Sequence, residues 1–261
     1  MNAVISKHVL ADDMIRKLVN LKIDELITYV EEIQADANCS DLNFIEKFEI
    51  VINRLYECKL NKCIERLKKS AKLRERSAAI AKIYYDSQRT LSRDLVLELS
   101  TCDFLKKQTN LIIKGPTGSG KTYLACALAN AAMERCFKAK YVRLPDLIQD
   151  IEESMIQKRS LKRLRRRYEL PSVLIIDEWL LSSVSETVCS FLLDLIDARY
   201  TETSTFICTQ YDVGDWHEKL GGTTLAEAVI DRLVQNAVEI NLGTLNMRKI
   251  TSPSKFYNSK K

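Results

Sequence analysis

Ile15, Val19, Ile23, Leu26, Val30 and Ile33 advance along the chain by four, four, three, four and three positions, the spacing of one α-helical face. The pattern predicts a first helix running across them. Asp41 then stands as the expected N-cap of a second helix, whose Ile45, Phe48, Ile52 and Leu55 repeat the stripe. Leu60, Cys63, Ile64 and Leu67 carry a similar stripe onward, so the sequence sets no sharp end to that helix. After residue 110 the texture changes. Short apolar runs appear at Leu111-Ile112-Ile113, Tyr141-Val142, Val173-Leu174-Ile175-Ile176, Thr205-Phe206-Ile207-Cys208 and Val238-Glu239-Ile240. Helical patterns over about 120–136, 185–200 and 224–235, with another between the second and third runs, alternate with them. Such alternation predicts an α/β fold, a parallel sheet with helices on both faces.

All seven glycines and four prolines lie at or beyond residue 115. A stretch without either breaker is expected to be almost entirely helical. The predicted organisation is therefore a helical amino-terminal domain and linker over residues 1–100, with the bundle ending near 75, and an α/β domain over 101–261. At 261 residues, with 46% hydrophobic and 29% charged, the chain is not a disordered chain, a collagen-like fibre or a disulfide-stapled miniprotein. No apolar run reaches membrane-spanning length, and Asp12 and Asp13 interrupt the one candidate leader, so a cytoplasmic protein with no membrane role is expected. The eight cysteines form no C-x-x-C pair, Cys58 and Cys63 coming closest, and His8 and His217 are the only histidines. The cysteines read as small buried hydrophobes of a reducing compartment, not as a zinc site.

Candidate chemistry begins directly after the first predicted strand. Gly115, Pro116, Thr117, Gly118, Ser119, Gly120, Lys121 and Thr122 form the pattern G-x-x-x-x-G-K-[ST], between a strand and a helix as its mechanism requires. The glycines let several backbone N–H groups converge on a phosphate chain, and the following helix adds the positive end of its dipole. Lys121 can reach the β- and γ-phosphates of ATP, and the Thr122 hydroxyl can bind Mg²⁺. The second half of the site is Val173-Leu174-Ile175-Ile176-Asp177-Glu178, a buried strand with two carboxylates at its carboxyl end, where open α/β sheets bind ligands. Asp177 is expected to hold Mg²⁺ and Glu178 to polarise the attacking water, which favours hydrolysis over transfer to a small substrate. Thr209 and Gln210, ending the next strand, are placed to lie between the phosphates and that water.

Taken in order, G-P-T-G-S-G-K-T-Y-L-A, L-I-I-D-E-W, I-C-T-Q-Y and A-V-I-D-R-L resemble the IstB-like ATP-binding proteins. These are helper ATPases of bacterial insertion-sequence transposition and relatives of the DnaC and DnaI helicase loaders in the AAA+ superfamily. The similarity covers nearly the whole chain, including Leu99-Ser100-Thr101-Cys102-Asp103-Phe104 before the first strand. The resemblance implies a sensor role for Gln210 and an arginine finger at Arg232, acting across a subunit boundary in a homo-oligomer; Arg199, at the end of the helix after the Asp177-Glu178 strand, is the reserve candidate. It implies nucleotide contact by Arg248, although Asn246 and the displaced Gly243 depart from the family's usual motif there. About twenty residues follow the last predicted strand, too few for a helical lid domain. The client it implies is a transposase, the alternative being a replicative helicase. An inactive scaffold is the reading that intact Lys121, Thr122, Asp177 and Glu178 oppose.

The net charge of +5 conceals strong clustering. Lys59–Arg76 and Lys158–Glu169 each carry a net +6, and Arg248–Lys261 adds five basic residues with no acid. Clusters of this kind on a balanced background are the footprint of phosphate-backbone binding. Arg159, Lys162, Arg163, Arg165, Arg166 and Arg167 are the candidate DNA contacts, between the second and third strands, where the loader-type relatives line a DNA-facing surface. With Tyr168 the only aromatic among them, duplex backbone binding with little base readout is expected.

Overall fold

The computed structural model describes residues 10–86 and 89–251. The chain forms two compact units that divide between Glu65 and Arg66. In the first unit, helices α1 (Asp12–Asn20), α2 (Glu25–Ala35) and the first part of α3 (Phe44–Ala71) surround a small core of Ile33, Cys39 and Val51. The single helix expected across Ile15–Ile33 is two helices. Lys22 takes a left-handed φ of 59° between them, and Lys59 of α3 donates to its carbonyl at 2.6 Å, holding the turn. Lys59 and Lys62 also pair with Glu25 and pull its carboxyl down to about 2, so part of the first basic cluster is spent within this unit. The second helix is capped by Asn43 rather than Asp41. Asn43 Oδ1 accepts from the Glu46 N–H at 3.1 Å while Glu46 accepts from the Asn43 N–H at 2.7 Å, a reciprocal capping box. The unbroken stripe through Leu67 is one helix, α3, ending where Lys72 adopts φ 54°.

The second unit is built on a five-stranded parallel sheet of order β2-β3-β4-β1-β5. Its strands are β1 (Asn110–Lys114), β2 (Ala139–Arg143), β3 (Val173–Trp179), β4 (Ser204–Thr209) and β5 (Ala237–Asn241). Period two along each strand feeds two cores. Leu111, Ile113, Val173, Ile175, Phe206, Cys208 and Ile240 face the layer of α4 (Arg93–Ser100) and α5 (Lys121–Glu134). Ile112, Leu174, Ile176 and Ile207 face the opposite layer. That layer comprises α6 (Leu144–Ile156), α7 (Leu161–Glu169), α8 (Glu186–Arg199), α9 (Trp216–Lys219) and α10 (Thr224–Val234). The expected parallel sheet with both faces covered is what forms. After β5 the described chain adds only the short helix α11 (Met247–Thr251).

Residues 72–92 fall in the stretch expected to be almost entirely helical, with the connection beginning near 75, but they are largely not helical. Among the described residues they hold one 3-10 turn, Ile80–Lys82, and otherwise run without helix. Leu73, Ala78, Ile83 and Leu91 are buried in the core beside α5, so this stretch belongs to the α/β unit. Burial of those four side chains along an extended path outweighs helix propensity, which is a weak local preference. No helix among the described residues is long and apolar enough to cross a membrane.

Candidate nucleotide site

The P-loop curls from the end of β1 into the first turn of α5. Gly118 (φ 85°) and Gly120 (φ 94°) occupy left-handed backbone that other residues rarely adopt. Space is also closed at Gly118: a Cβ there would lie 2.5 Å from Asn246 Oδ1. The Met247 N–H donates to the Gly118 carbonyl at 2.8 Å, so the segment after β5 straps the loop. Lys121 Nζ donates to the Gly115 and Pro116 carbonyls at 2.7 and 2.9 Å, and its burial lowers its proton affinity. It stands at the loop's mouth with donors that phosphate oxygens can take over from those carbonyls.

β3 lies beside β4, which lies beside β1, and this order brings the two carboxylates to the loop. Asp177 is 2% exposed and accepts from the Thr122 hydroxyl at 2.7 Å and the Tyr141 hydroxyl at 2.9 Å. Burial and the Asp177 carboxylate push the Tyr141 hydroxyl well above its usual value and keep it a donor. Glu178 sits on an irregularity in the β3–β4 register, with φ 57°. Its carboxylate meets Arg74 at 3.2 Å and Arg143 at 3.7 Å. Gln210 accepts from the Thr117 hydroxyl at 3.2 Å, whereas Thr209 is buried and its hydroxyl takes the Tyr211 N–H. Of the two polar residues ending β4, only Gln210 reaches the cleft.

Lys121, Thr122, Asp177, Glu178, Gln210 and Arg248 all line one cavity of about 750 Å³. Its donor set suits magnesium. A hydroxyl and a carboxylate, both hard oxygen donors, meet at 2.7 Å, and Mg²⁺ is typically held by one or two protein oxygens plus phosphates and water. No group of three metal-ligating His, Cys, Asp or Glu side chains exists among the described residues.

Arg232 does not line this cavity. It lies on α10, with Nε donating to Asp197 at 2.7 Å and Nη1 to the Ala228 carbonyl at 3.0 Å. Arg199, the reserve finger, is withdrawn from that role by its burial. It is 1% exposed and all its nitrogens are spent on Thr205 Oγ1 and the carbonyls of Tyr168, Glu169, Pro171 and Ser204. The basic cluster divides as well. Arg159, Lys162, Arg163, Arg166 and Arg167 are exposed, but Arg165 reaches across to Asp194 at 2.6 Å and lies 3.7 Å from Glu169. Tyr168 is buried with its hydroxyl 3.2 Å from Asp150, so it offers no stacking surface.

Three residues that meet the Asp177 and Glu178 carboxylates escaped the sequence analysis: Tyr141, Arg143 and Arg74. Tyr141 and Arg143 carry no motif, and only the β2–β3 pairing, which sets Arg143 opposite Asp177, brings them in. Arg74 was hidden inside a basic run.

The profile of the IstB-like ATP binding protein family matches residues 16–254. The chain belongs to that family. An insertion-sequence ATP-binding protein of Sinorhizobium fredii is 31% identical over 92% of this chain and 97% of its own length. The IS21 ATP-binding protein of Pseudomonas aeruginosa is 27% identical over 86% of this chain and 84% of its own. Among solved structures, DnaI matches with a TM-score of 0.55 at 20% identity, covering 66% of this chain and 91% of that one. AMPPCP-bound DnaA from Aquifex aeolicus matches at 0.53 and 22%, covering 69% and 56%. The family makes this chain an ATP-binding ATPase, and the solved structures show the fold on which it is built.

Proposed function

We propose that this family member hydrolyses ATP with Mg²⁺ in the cleft between the P-loop and β3, and uses the cycle to assemble on duplex DNA and present it to a transposase. One observation carries the hydrolytic part: Lys121, the Thr122–Asp177 pair and Glu178 converge on a single cavity. The transposase client rests on the relatives named for insertion sequences. A replicative helicase has no comparable support, since the likeness to DnaI is one of fold.

On ATP binding, Lys121 exchanges the Gly115 and Pro116 carbonyls for β- and γ-phosphate oxygens, and the P-loop N–H groups with the α5 dipole hold the chain. Thr122 and Asp177 would hold Mg²⁺, which supplies charge neutralisation across those phosphates. Tyr141 fixes the Asp177 carboxylate by its hydrogen bond. Glu178, once drawn from Arg74 and Arg143, orients a water for in-line attack and takes its proton, while Gln210 positions the same water. Arg232, outside its own cleft, would be supplied to the cleft of a neighbouring copy. The exposed cations Arg159, Lys162, Arg163, Arg166 and Arg167 would follow a duplex backbone. The buried thiols of Cys39, Cys102, Cys126, Cys189 and Cys208 suit a reducing, cytoplasmic setting.

The test is Glu178→Gln, which keeps size and loses the base. Turnover should fall by about 10² or more while ATP binding persists, in line with general-base contributions. Loss of binding with turnover per bound site unchanged would remove Glu178 from this role.

A further inference from the structure

Two arginines of the α/β unit are almost fully buried, and they are treated differently. Arg199 is closed, every nitrogen of its guanidinium hydrogen-bonded. Arg89 is 8% exposed and is not closed. Its Nη1 donates to the Tyr84 carbonyl and its Nη2 to the Ser119 carbonyl at 3.1 Å, but Nε is buried without a partner. Both acceptors are neutral, and among the described residues no carboxylate pairs with it. Burial accordingly pulls the guanidinium below the ordinary arginine value. A buried cation with neither a counter-charge nor a full set of acceptors is costly, and proteins keep one where an anion will meet it.

The place is specific. Arg89 lines the nucleotide cleft, and a Cβ on Gly120 would lie 3.1 Å from its Nη2. Gly120 is the N-cap of α5, whose first N–H groups would face a phosphate chain bound in the P-loop. We propose that Arg89 is a phosphate-binding residue of this site, its guanidinium serving with Lys121 as the counter-charge to the polyphosphate of ATP or ADP at the start of α5. It comes from the segment before β1, outside the P-loop motif. The proposal rests on nucleotide occupying the P-loop and adds a second cation to it.

Two substitutions separate charge from fastening. Arg89→Gln keeps N–H donors and loses the charge; Arg89→Lys keeps both. Affinities for ADP and for inorganic pyrophosphate are measured on the full chain by calorimetry. Arg89→Gln should weaken both ligands alike by about tenfold or more, as expected for a charge-assisted contact, and Arg89→Lys should stay within about threefold of the parent. Equal losses in the two variants would make Arg89 a fastener of loop carbonyls and overturn the proposal. A loss confined to ADP would place it at the base or ribose and overturn it too, as would no loss at all. If Arg89→Gln does not fold, Arg89→Met replaces it under the same criteria. A parent that binds neither ligand would instead bring down the nucleotide site itself, Arg89 included.

Discussion

The nucleotide cleft and helix α7 belong to one unit and are both rich in cations, yet they hold them in opposite ways. In the cleft three cations have fixed addresses: Lys121 on two loop carbonyls, Arg89 on two more, Arg74 on Glu178. On α7, Lys162, Arg163, Arg166 and Arg167 stand in solvent, and Arg165 alone is pinned, by Asp194 and Glu169. A cation held by protein groups is pre-organised and recognises one ligand geometry. Mobile cations on one helix face recognise charge density and little else. Large single-residue effects are therefore expected in the cleft, and graded, additive ones on α7.

The strongest challenge to this contrast is Arg232, a fixed cation that lies outside the cleft of its own chain. If a neighbouring copy completes the site, Arg232→Ala should keep nucleotide binding and lose about 10³-fold or more of the turnover gained on assembly. Its pair with Asp197 is part-exposed and contributes little stability, so the fold should survive. Mixing Arg232→Ala with Lys121→Ala subunits decides the matter. Each is inactive alone, and mixed interfaces join an intact P-loop to an intact arginine. Recovered hydrolysis supports action in trans; mixed assemblies that stay inactive would confine the cleft to one chain.

A smaller, graded effect is expected on α7. Replacing Lys162, Arg163, Arg166 and Arg167 with Ala should make the slope of log K against log salt shallower by up to about 3.6 for duplex DNA, at about 0.9 per phosphate contact. All sequences should weaken alike. Arg165→Ala should leave the slope nearly unchanged and lower the melting temperature slightly, because its charge already has partners. Equal slope changes from Arg165→Ala and from a neighbour such as Arg166→Ala would erase the distinction between pinned and free cations.

How much of this was legible beforehand follows the range over which each signal acts. The P-loop and the Asp177-Glu178 pair are local patterns, and each carries its own strand context, so they read directly. The two-sided sheet was legible because Leu111 and Ile113 feed one core and Ile112 the other. Residues 72–92 misled because their path is set by where Leu73, Ala78, Ile83 and Leu91 are buried, which no local pattern announces. The turn at Lys22 has the same origin, a lysine 37 residues further on. Arg199 and Arg232 look alike as letters; burial alone separates a structural arginine from an available one. Tyr141 and Arg143 needed strand order, which alternation of strands and helices does not supply, and Arg74 needed the path of residues 72–92.

Arg74 offers the finest test of the contrast, since it is a cleft cation addressed to a protein carboxylate instead of a loop carbonyl. Its guanidinium holds Glu178 Oε1 at 3.2 Å, and Arg143 stands 3.7 Å from the other oxygen. If Glu178 orients the attacking water as proposed, it must leave this pair to do so, and the pair then stabilises the resting state relative to the reactive one. Both side chains are partly open to solvent, at 45% and 27%, which limits the contact to about 1 kcal/mol or less. Arg74→Ala should therefore raise basal ATP turnover by no more than about fivefold, with nucleotide affinity little changed. The Glu178→Gln background supplies the control: there the carboxylate is gone, and removing Arg74 should give no acceleration. A fall in turnover with Arg74→Ala would mean that the arginine positions Glu178 for attack. The cleft would then hold its cations for chemistry throughout, with none of them restraining it.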